Sequence, residues 1–172
     1  MKLAEGERLA ALMVKTIMQT KNPPSRTLVV GSIRRHLPIV SDVDIVAEVT
    51  PEQREAVFQV FDFNPHAVIE AQGEHLLRLY FKGATEVAAG LVDVYFARPR
   101  SKDRPGNWGS VALCRTGSRE HNIMIAGLAK SLGRAWNLQE GITKGGQYLA
   151  GETEEGMFEA LGMEWVKPEA RK

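Results

Sequence analysis

The segment from Thr27 to Val49, TLVVGSIRRHLPIVSDVDIVAEV, constrains the fold of this chain more than any other. Its first residues are β-favouring and end at Gly31-Ser32, which predicts a buried strand followed by a sharp turn. A second β-rich run begins at Ser41 and carries Asp42 and Asp44. Because residues two apart on a strand point to one face, the two carboxylates are predicted to project together.

Two neighbouring carboxylates repel each other unless a cation lies between them. Mg²⁺ prefers carboxylate oxygens and leaves coordination positions open for phosphate oxygens. If the Gly31-Ser32 turn opens a helix, its backbone N–H groups can bind a phosphate, and Arg34 or Arg35 can add a forked contact. The segment therefore predicts a phosphate cradle and half of a metal site. The alternative is a turn followed by a strand with a solvated acidic face.

The size and composition of the chain bound the protein class. Its 172 residues suffice for one domain or two small subdomains, and its 44% hydrophobic and 25% charged residues are typical of a globular protein. No apolar run is long enough to span a bilayer and the N-terminus lacks a signal-peptide core, which predicts a cytoplasmic protein with no membrane partner. Cys114 is the single cysteine, so an internal disulfide is excluded.

The net charge of +1 is unevenly distributed. Residues 98–134 contain eight Lys or Arg and two acids, a local charge of +6, whereas residues 52–93 contain seven acids and three bases, a local charge of −4. This asymmetry is compatible with nucleic-acid contact on one side of the protein. The alternative is ordinary surface chemistry.

Periodicity and cap residues predict the order of the helices and strands. The predicted helices cover residues 4–20, 51–60, 107–114, 119–132 and a last segment capped near Thr153. The predicted strands cover residues 27–30 and 42–46, a hairpin at 67–81 around Gly73, and residues 88–96.

A third carboxylate, Asp93, lies in the apolar strand AAGLVDVYF. An unpaired charge among apolar neighbours is costly, and a metal ion shared with Asp42 and Asp44 would explain it. The alternative is an exposed position on an edge strand.

The run Gly31-Ser32-Ile33-Arg34-Arg35, followed by Ser41-Asp42-Val43-Asp44, resembles the nucleotidyltransferase signature, and that of family X DNA polymerases in particular. The region WGSVALCRTGSREHNIMIAGLAKSLG, residues 108–133, resembles the palm-to-thumb passage of that family. The resemblance implies an α+β fold, with a palm in residues 1–105, built of a mixed sheet with helices on one face, and a small α/β thumb in residues 106–172. It also implies a minimal palm-plus-thumb form without the lyase and helix-hairpin-helix domains, as in the reduced viral members. Residues 136–142 resemble the first thumb strand of the family, with residues 147–150 pairing back on it.

The resemblance also implies the site residues. Asp42, Asp44 and Asp93 would be catalytic and would hold Mg²⁺ or Mn²⁺. The nucleotide would contact Gly31, Ser32 and Arg35 at its phosphates, and a pocket lined by Thr116, Gly117, Ser118 and Asn122. In the family an arginine two residues before the third carboxylate often orients it, and this chain has Leu91 there.

The predicted function is addition of nucleotides to a primer 3′-hydroxyl by a DNA polymerase, with short-gap filling in DNA repair. The predicted partners are a nucleoside triphosphate and gapped or primed DNA, and the protein is predicted to be a monomer.

Two alternatives remain open. One is a template-independent nucleotidyltransferase, or one that modifies RNA, a small molecule or a protein. The other is a DNA-end-binding module with a decayed site. Cys114-Arg115 replaces an aromatic pair of many members, and Ala126 replaces an arginine. These departures leave sugar choice and template dependence open.

Overall fold

The computed structural model describes residues 1–171, and the chain divides into two compact units, Met1–Phe96 and Ala97–Lys172. Helices and strands are mixed along both units, which confirms the predicted α+β class. The boundary between a palm of residues 1–105 and a thumb of residues 106–172 stays a prediction. Of the helices formed by residues 1–171, none is long and apolar enough to cross a membrane.

The N-terminal unit is a five-stranded mixed sheet with two long helices and one short one. In chain order its elements are α1 (Leu3–Met18), β1 (Arg26–Val29), α2 (Gly31–Arg34), β2 (Asp42–Glu48), α3 (Pro51–Asp62), β3 (Ala67–Gln72), β4 (Leu76–Phe81) and β5 (Gly90–Ala97). The strands lie in the order β1-β2-β5-β4-β3, so β2 and β5 are neighbours although they are far apart in sequence.

Alternation along the strands decides which face of this sheet is buried. Val43, Ile45 and Val94 point into a core that they share with apolar residues of α1 and α3. Each fully buried aliphatic side chain of this kind contributes roughly 1.5–3 kcal/mol. The two long helices therefore cover one face, as predicted, and residues at the intervening positions face the other way.

Capping residues set the helix boundaries as the sequence predicts. Thr50 Oγ1 accepts a hydrogen bond from Gln53 N at 3.3 Å, and Gln53 Oε1 accepts one from Thr50 N at 2.8 Å. This reciprocal capping box, with Pro51 at the first helical position, starts α3 and fixes where β2 must end.

The C-terminal unit packs helices against a three-stranded antiparallel sheet of order β6-β7-β8. Its elements are α4 (Trp108–Thr116), α5 (Arg119–Ser131), β6 (Ala135–Asn137), β7 (Gly141–Lys144), β8 (Gln147–Ala150), α6 (Glu154–Glu159) and a 3₁₀ turn at Pro168–Ala170. A separate core built around Leu113, Ile125, Ile142 and Phe158 holds them together.

One strand prediction is wrong in this unit. Residues 136–142 form two strands, β6 and β7, and not one. The side-chain oxygen of Asn137 accepts hydrogen bonds from Gln139 N at 2.8 Å and Glu140 N at 3.2 Å. An asparagine that bonds the backbone two residues on makes a turn, and this turn interrupts the strand.

Candidate active site

The turn after β1 lies directly against the middle of β2. Val29 is the cross-strand partner of Ile45, and Val30 N donates a hydrogen bond to the Asp44 carbonyl at 2.8 Å. These backbone contacts carry the chain from β1 into α2 beside the Asp44 side chain. The predicted phosphate cradle and the predicted carboxylate pair are therefore neighbours.

Gly31 is required at this turn for two reasons. Its φ of +64° lies in the left-handed region, which L-residues with a side chain rarely adopt. A Cβ at this position would also lie 2.0 Å from Asp44 Oδ2, which leaves no room for a side chain. The glycine thus allows the carboxylate to pack against the backbone.

Ser32 presents an unsatisfied polar atom at the start of α2. Its Oγ is buried and has no hydrogen-bond partner within the described residues. A buried hydroxyl without a partner is costly, and a phosphate oxygen would satisfy it. Arg34 and Arg35 follow on α2 and both are half-buried.

Asp42 and Asp44 project from β2 on the face of the sheet that the helices leave uncovered. Both aspartates are half-buried. Val43, which lies between them, and Ile45, which follows Asp44, are fully buried on the opposite face. Ser41 Oγ donates a hydrogen bond to Asp42 Oδ1 at 2.9 Å. The alternation confirms that the pair shares one face, as the sequence predicts.

Asp93 lies on the same face, on the neighbouring strand β5, and is only 3% exposed. Its partner is Arg78 on β4, which stands directly opposite it in the strand register. Arg78 Nε donates to Asp93 Oδ1 at 2.7 Å and Nη2 donates to Oδ2 at 2.6 Å. The Tyr95 hydroxyl donates to Oδ2 at 2.9 Å. The hydrogen bonds and charge of Asp93 raise the pKa of Arg78.

This pairing explains where the Asp93 carboxylate points. Both of its oxygens bind the guanidinium on β4, and β2 lies on the other side of β5. Within residues 1–171, no three His, Cys, Asp or Glu side chains are grouped so that they could hold a metal ion. Asp42 and Asp44 have the oxygen donors that Mg²⁺ or Mn²⁺ prefers, but Asp93 in this orientation is bound to Arg78 instead.

The predicted nucleotide-pocket residues lie at the junction of α4 and α5. Thr116 is fully buried, Gly117 has a φ of +68°, and the Ser118 hydroxyl caps α5 by accepting from His121 N at 3.1 Å. Asn122 Nδ2 donates to the Cys114 carbonyl at 2.7 Å, while its Oδ1 is buried without a partner in the described chain. Their predicted contact with a nucleotide stays a prediction.

The loop of residues 98–104 begins the basic region 98–134, and its arginines are bound within their own unit. Arg100 makes a two-point ion pair with Glu152, and Arg104 pairs with Glu140. Arg98 donates to the Pro105 and Gln139 carbonyls. These contacts offset much of the charge of the loop. On α5, in contrast, Arg119 and Lys130 are exposed to solvent.

Sequence reasoning missed Arg78 and Tyr95. The signal available was the alternation in Leu76-Leu77-Arg78-Leu79-Tyr80-Phe81, which places Arg78 on the face away from the core. The cross-strand register between β4 and β5 decides its partner, and no residue in the sequence specifies that register. Leu91 stands where the family often has an arginine that orients the third carboxylate. In this chain Arg78, on the adjacent strand β4, binds that carboxylate instead.

One cleft of the N-terminal unit lies away from the three carboxylates. It has a volume of about 310 Å³ and is lined by residues at the end of α1 and along α3, including Thr20, Gln59 and Phe63. These helices cover the face of the sheet opposite to the carboxylates. None of the three carboxylates lines this cleft.

Comparison with known proteins supports the predicted family. Residues 111–172 match the family described as DNA polymerase beta thumb. No curated protein matches the sequence.

Solved structures of Leishmania infantum polymerase beta share the fold. Leishmania infantum polymerase beta in a ternary P/T complex superposes with a TM-score of 0.80 and 19% sequence identity, over 100% of this chain and 76% of that one. The same polymerase in a ternary gap complex gives a TM-score of 0.79 and 18% identity, over 100% of this chain and 70% of that one. The thumb match and the common fold confirm the predicted resemblance to family X polymerases.

Proposed function

We propose that this chain, with a C-terminal region of the polymerase beta thumb family and the fold of polymerase beta, is a DNA nucleotidyltransferase that extends a primer 3′-hydroxyl. The observation that carries the proposal most directly is the arrangement of the sheet. Strand β2, with Asp42 and Asp44, lies beside β5, with Asp93, on the face free of helices. The Gly31-Ser32 turn packs against one of these carboxylates, that of Asp44.

Each part of this site has a chemical role in the proposal. Ser32 Oγ and Arg35 bind the β- and γ-phosphates of the nucleotide, where a buried hydroxyl and a guanidinium are suitable donors. Asp42, Asp44 and Asp93 would hold the divalent cations, Mg²⁺ or Mn²⁺. Two such ions, when bound, lower the pKa of the attacking hydroxyl and stabilise the charge of an in-line displacement. Asp93 helps to activate the 3′-hydroxyl.

The DNA substrate follows from the relatives. Both solved neighbours are ternary complexes, one described as P/T and one as gap. We infer that this chain uses primed or gapped DNA and a nucleoside triphosphate, and that it fills short gaps in repair. A cytoplasmic location and a monomeric state belong to the same proposal, and light scattering tests the monomeric state.

A primer-extension panel tests this function. The chain is assayed with gapped duplex, recessed primer, single-stranded DNA and RNA, each with deoxyribonucleotides or ribonucleotides, in Mg²⁺ or Mn²⁺. We expect metal-dependent extension of the gapped duplex, and none by an Asp42→Asn control. Failure to extend any DNA in either metal would contradict the proposal.

One observation supports testing a second function with the same primer-extension panel. Ala126 and Gly127 on α5 are exposed, so this face of the helix presents a surface without a basic side chain at its centre. If this surface does not select a template base pair, single-stranded DNA or RNA will be extended as well as gapped duplex. That result would favour a template-independent nucleotidyltransferase.

A further inference from the structure

We propose that Arg78 is a positioning residue that holds Asp93 in a resting orientation and competes with divalent cations for its carboxylate. Arg78 must release at least one oxygen of Asp93 before this acid can act together with Asp42 and Asp44. The inference rests on the proposed function, because it assigns a task at the same site.

The first support is the geometry of the pair. Arg78 and Asp93 are direct cross-strand partners, and the guanidinium binds both carboxylate oxygens, at 2.7 and 2.6 Å. A two-point arginine–carboxylate contact fixes orientation as well as charge. The direction of the Asp93 carboxylate is therefore set from β4, on the side of β5 away from β2.

The second support is the unequal burial of the two partners. The Asp93 side chain is 3% exposed, whereas the Arg78 side chain is 45% exposed. The acid is fixed on an interior strand of the sheet, but the arginine can move into solvent, where its charge is hydrated. The Tyr95 hydroxyl, 2.9 Å from Oδ2, would still donate a hydrogen bond to Asp93 after Arg78 has moved.

The third support is that the three acids are not grouped. In residues 1–171 no set of three acidic, histidine or cysteine side chains could hold a metal ion as placed, although β2 and β5 are adjacent. The ion pair contributes to this arrangement, because it holds both oxygens of Asp93 toward β4 and away from β2. Removing the positive charge of Arg78 increases the attraction of the site for a divalent cation.

The same sheet supplies a matched control. Arg26 on β1 is the cross-strand partner of Glu48 on β2, with Nη2 at 2.7 Å from Oε1. Its side chain is 46% exposed, almost the same as that of Arg78. The pair differs in position, because Glu48 lies four residues along β2 from Asp44, the nearer acid, which is roughly 13 Å on an extended strand. Arg26→Gln therefore removes a cross-strand ion pair of an equally exposed arginine away from the three acids.

The experiment measures Mn²⁺ binding to the full chain without DNA or nucleotide, by electron paramagnetic resonance and calorimetry. The Asp93-dependent site is defined as the binding that Asp93→Asn removes. We expect Arg78→Gln to tighten this site about five- to tenfold, since the charge removed is half-exposed and screened. Arg26→Gln should change the dissociation constant less than about twofold. Combining Arg78→Gln with Asp93→Asn should abolish the gain.

The outcomes separate this inference from the proposed function. Unchanged or weaker Asp93-dependent binding in Arg78→Gln would overturn the role of Arg78 and leave the proposed function intact. If Asp93→Asn changes Mn²⁺ binding in neither background, Asp93 is not a ligand, and the proposed function fails with the inference.

Circular dichroism establishes that each variant is folded. If Arg78→Gln does not fold, Arg78→Lys keeps the charge but loses the two-point contact, and we expect it to tighten the site about twofold. Unchanged binding in this variant would overturn the inference.

Discussion

Two carboxylate–arginine pairs, one in each unit, share their chemistry and differ in their surroundings. In the C-terminal unit Arg171 Nη1 donates to Glu154 Oε1 at 2.8 Å, and the side chains are 0% and 7% exposed. In the N-terminal unit the acid of the pair, Asp93, is buried, but the side chain of Arg78 is 45% exposed. Of these two arginines, only Arg78 is exposed enough to move into solvent, where its charge would be hydrated.

The surroundings of Arg171 show why the first pair is fixed. Its guanidinium carbon lies 5.4 Å from the centre of the Phe158 ring and 5.8 Å from that of Trp165. Its Nε donates to the Val166 carbonyl at 3.0 Å. A charge enclosed in this way holds the segment Pro168-Glu169-Ala170-Arg171 in place. The comparison therefore separates a pair that stabilises the fold from a pair that serves a site.

The largest expected effect concerns the pair of the N-terminal unit, Arg78 and Asp93. Asp93→Asn should lower the rate of nucleotide incorporation about a thousandfold or more, because it removes a charge on which catalysis depends. The free energy of unfolding should change by no more than about 1 kcal/mol, since the partner arginine is half-exposed. Single-turnover kinetics and urea denaturation measure the two quantities. Near-normal incorporation would reject the assigned role of Asp93.

The pair of Arg171 and Glu154 should affect the stability of the fold rather than nucleotide incorporation. Arg171→Met removes the guanidinium that pairs with the buried Glu154 carboxylate, and we expect the free energy of unfolding to fall by about 3–5 kcal/mol. Urea denaturation monitored by tryptophan fluorescence measures the change. The double variant Arg171→Met, Glu154→Leu should recover much of the loss, because no unpaired charge remains. A single-variant loss below about 1 kcal/mol would mean that the pair is not stabilising.

The sequence indicated the carboxylates and the turn because they depend on local patterns. Alternation placed Asp42 and Asp44 on one face, and the glycine before Ser32 marked a turn that needs a positive φ. The caps at Thr50 and Ser118 likewise predicted where helices begin. Each of these features is decided within a few residues, so each could be inferred without knowing the rest of the fold.

The partners of these residues could not be inferred in the same way. Which side chain faces Asp93 depends on the register of β4 against β5, and the bonds of Arg100 depend on Glu152, which is 52 residues away. The split of residues 136–142 depends on an asparagine side chain that folds back on its own backbone. The basic loop illustrates the consequence, because its charge predicted DNA contact while its bonds are internal.

Gly31 and Gly133 provide a matched pair of substitutions that sharpens the role of the carboxylate site. Their φ values are +64° and +66°, so alanine costs about 1–2 kcal/mol of backbone strain at either position. A Cβ at Gly133 would meet no atom within 4 Å, whereas one at Gly31 would meet Asp44 Oδ2. We expect Gly31→Ala to lower incorporation at least about tenfold beyond Gly133→Ala, since Asp44 must move. Equal activity in the two variants would show that the position of Asp44 is not critical.

The smallest expected effect is on the pH dependence of stability, and it comes from His121, which lies near the pair of Arg171 and Glu154. The imidazole is 4% exposed, its ring centre lies 5.8 Å from that of Phe158, and neither ring nitrogen has a hydrogen-bond partner within the described residues. Burial, and next the positive charge of Arg171, lower the pKa of His121 below its ordinary value of 6.5. The folded state therefore keeps the ring neutral at a pH where the unfolded chain binds a proton.

The sign of the pH dependence follows from this difference in proton binding. The stabilisation is complete above pH 6.5 and is lost as the pH falls from there toward the lowered pKa of the folded state. Between pH 7 and 5 we therefore expect the free energy of unfolding to fall by more than the carboxylates alone would cause. His121→Phe keeps a ring of similar size in the same apolar contact and should remove this part of the pH dependence. Urea denaturation of both proteins at several pH values measures the difference. Parallel pH profiles would show that His121 titrates in the folded protein as it does in the unfolded chain, and that the positive charge of Arg171 does not reach it.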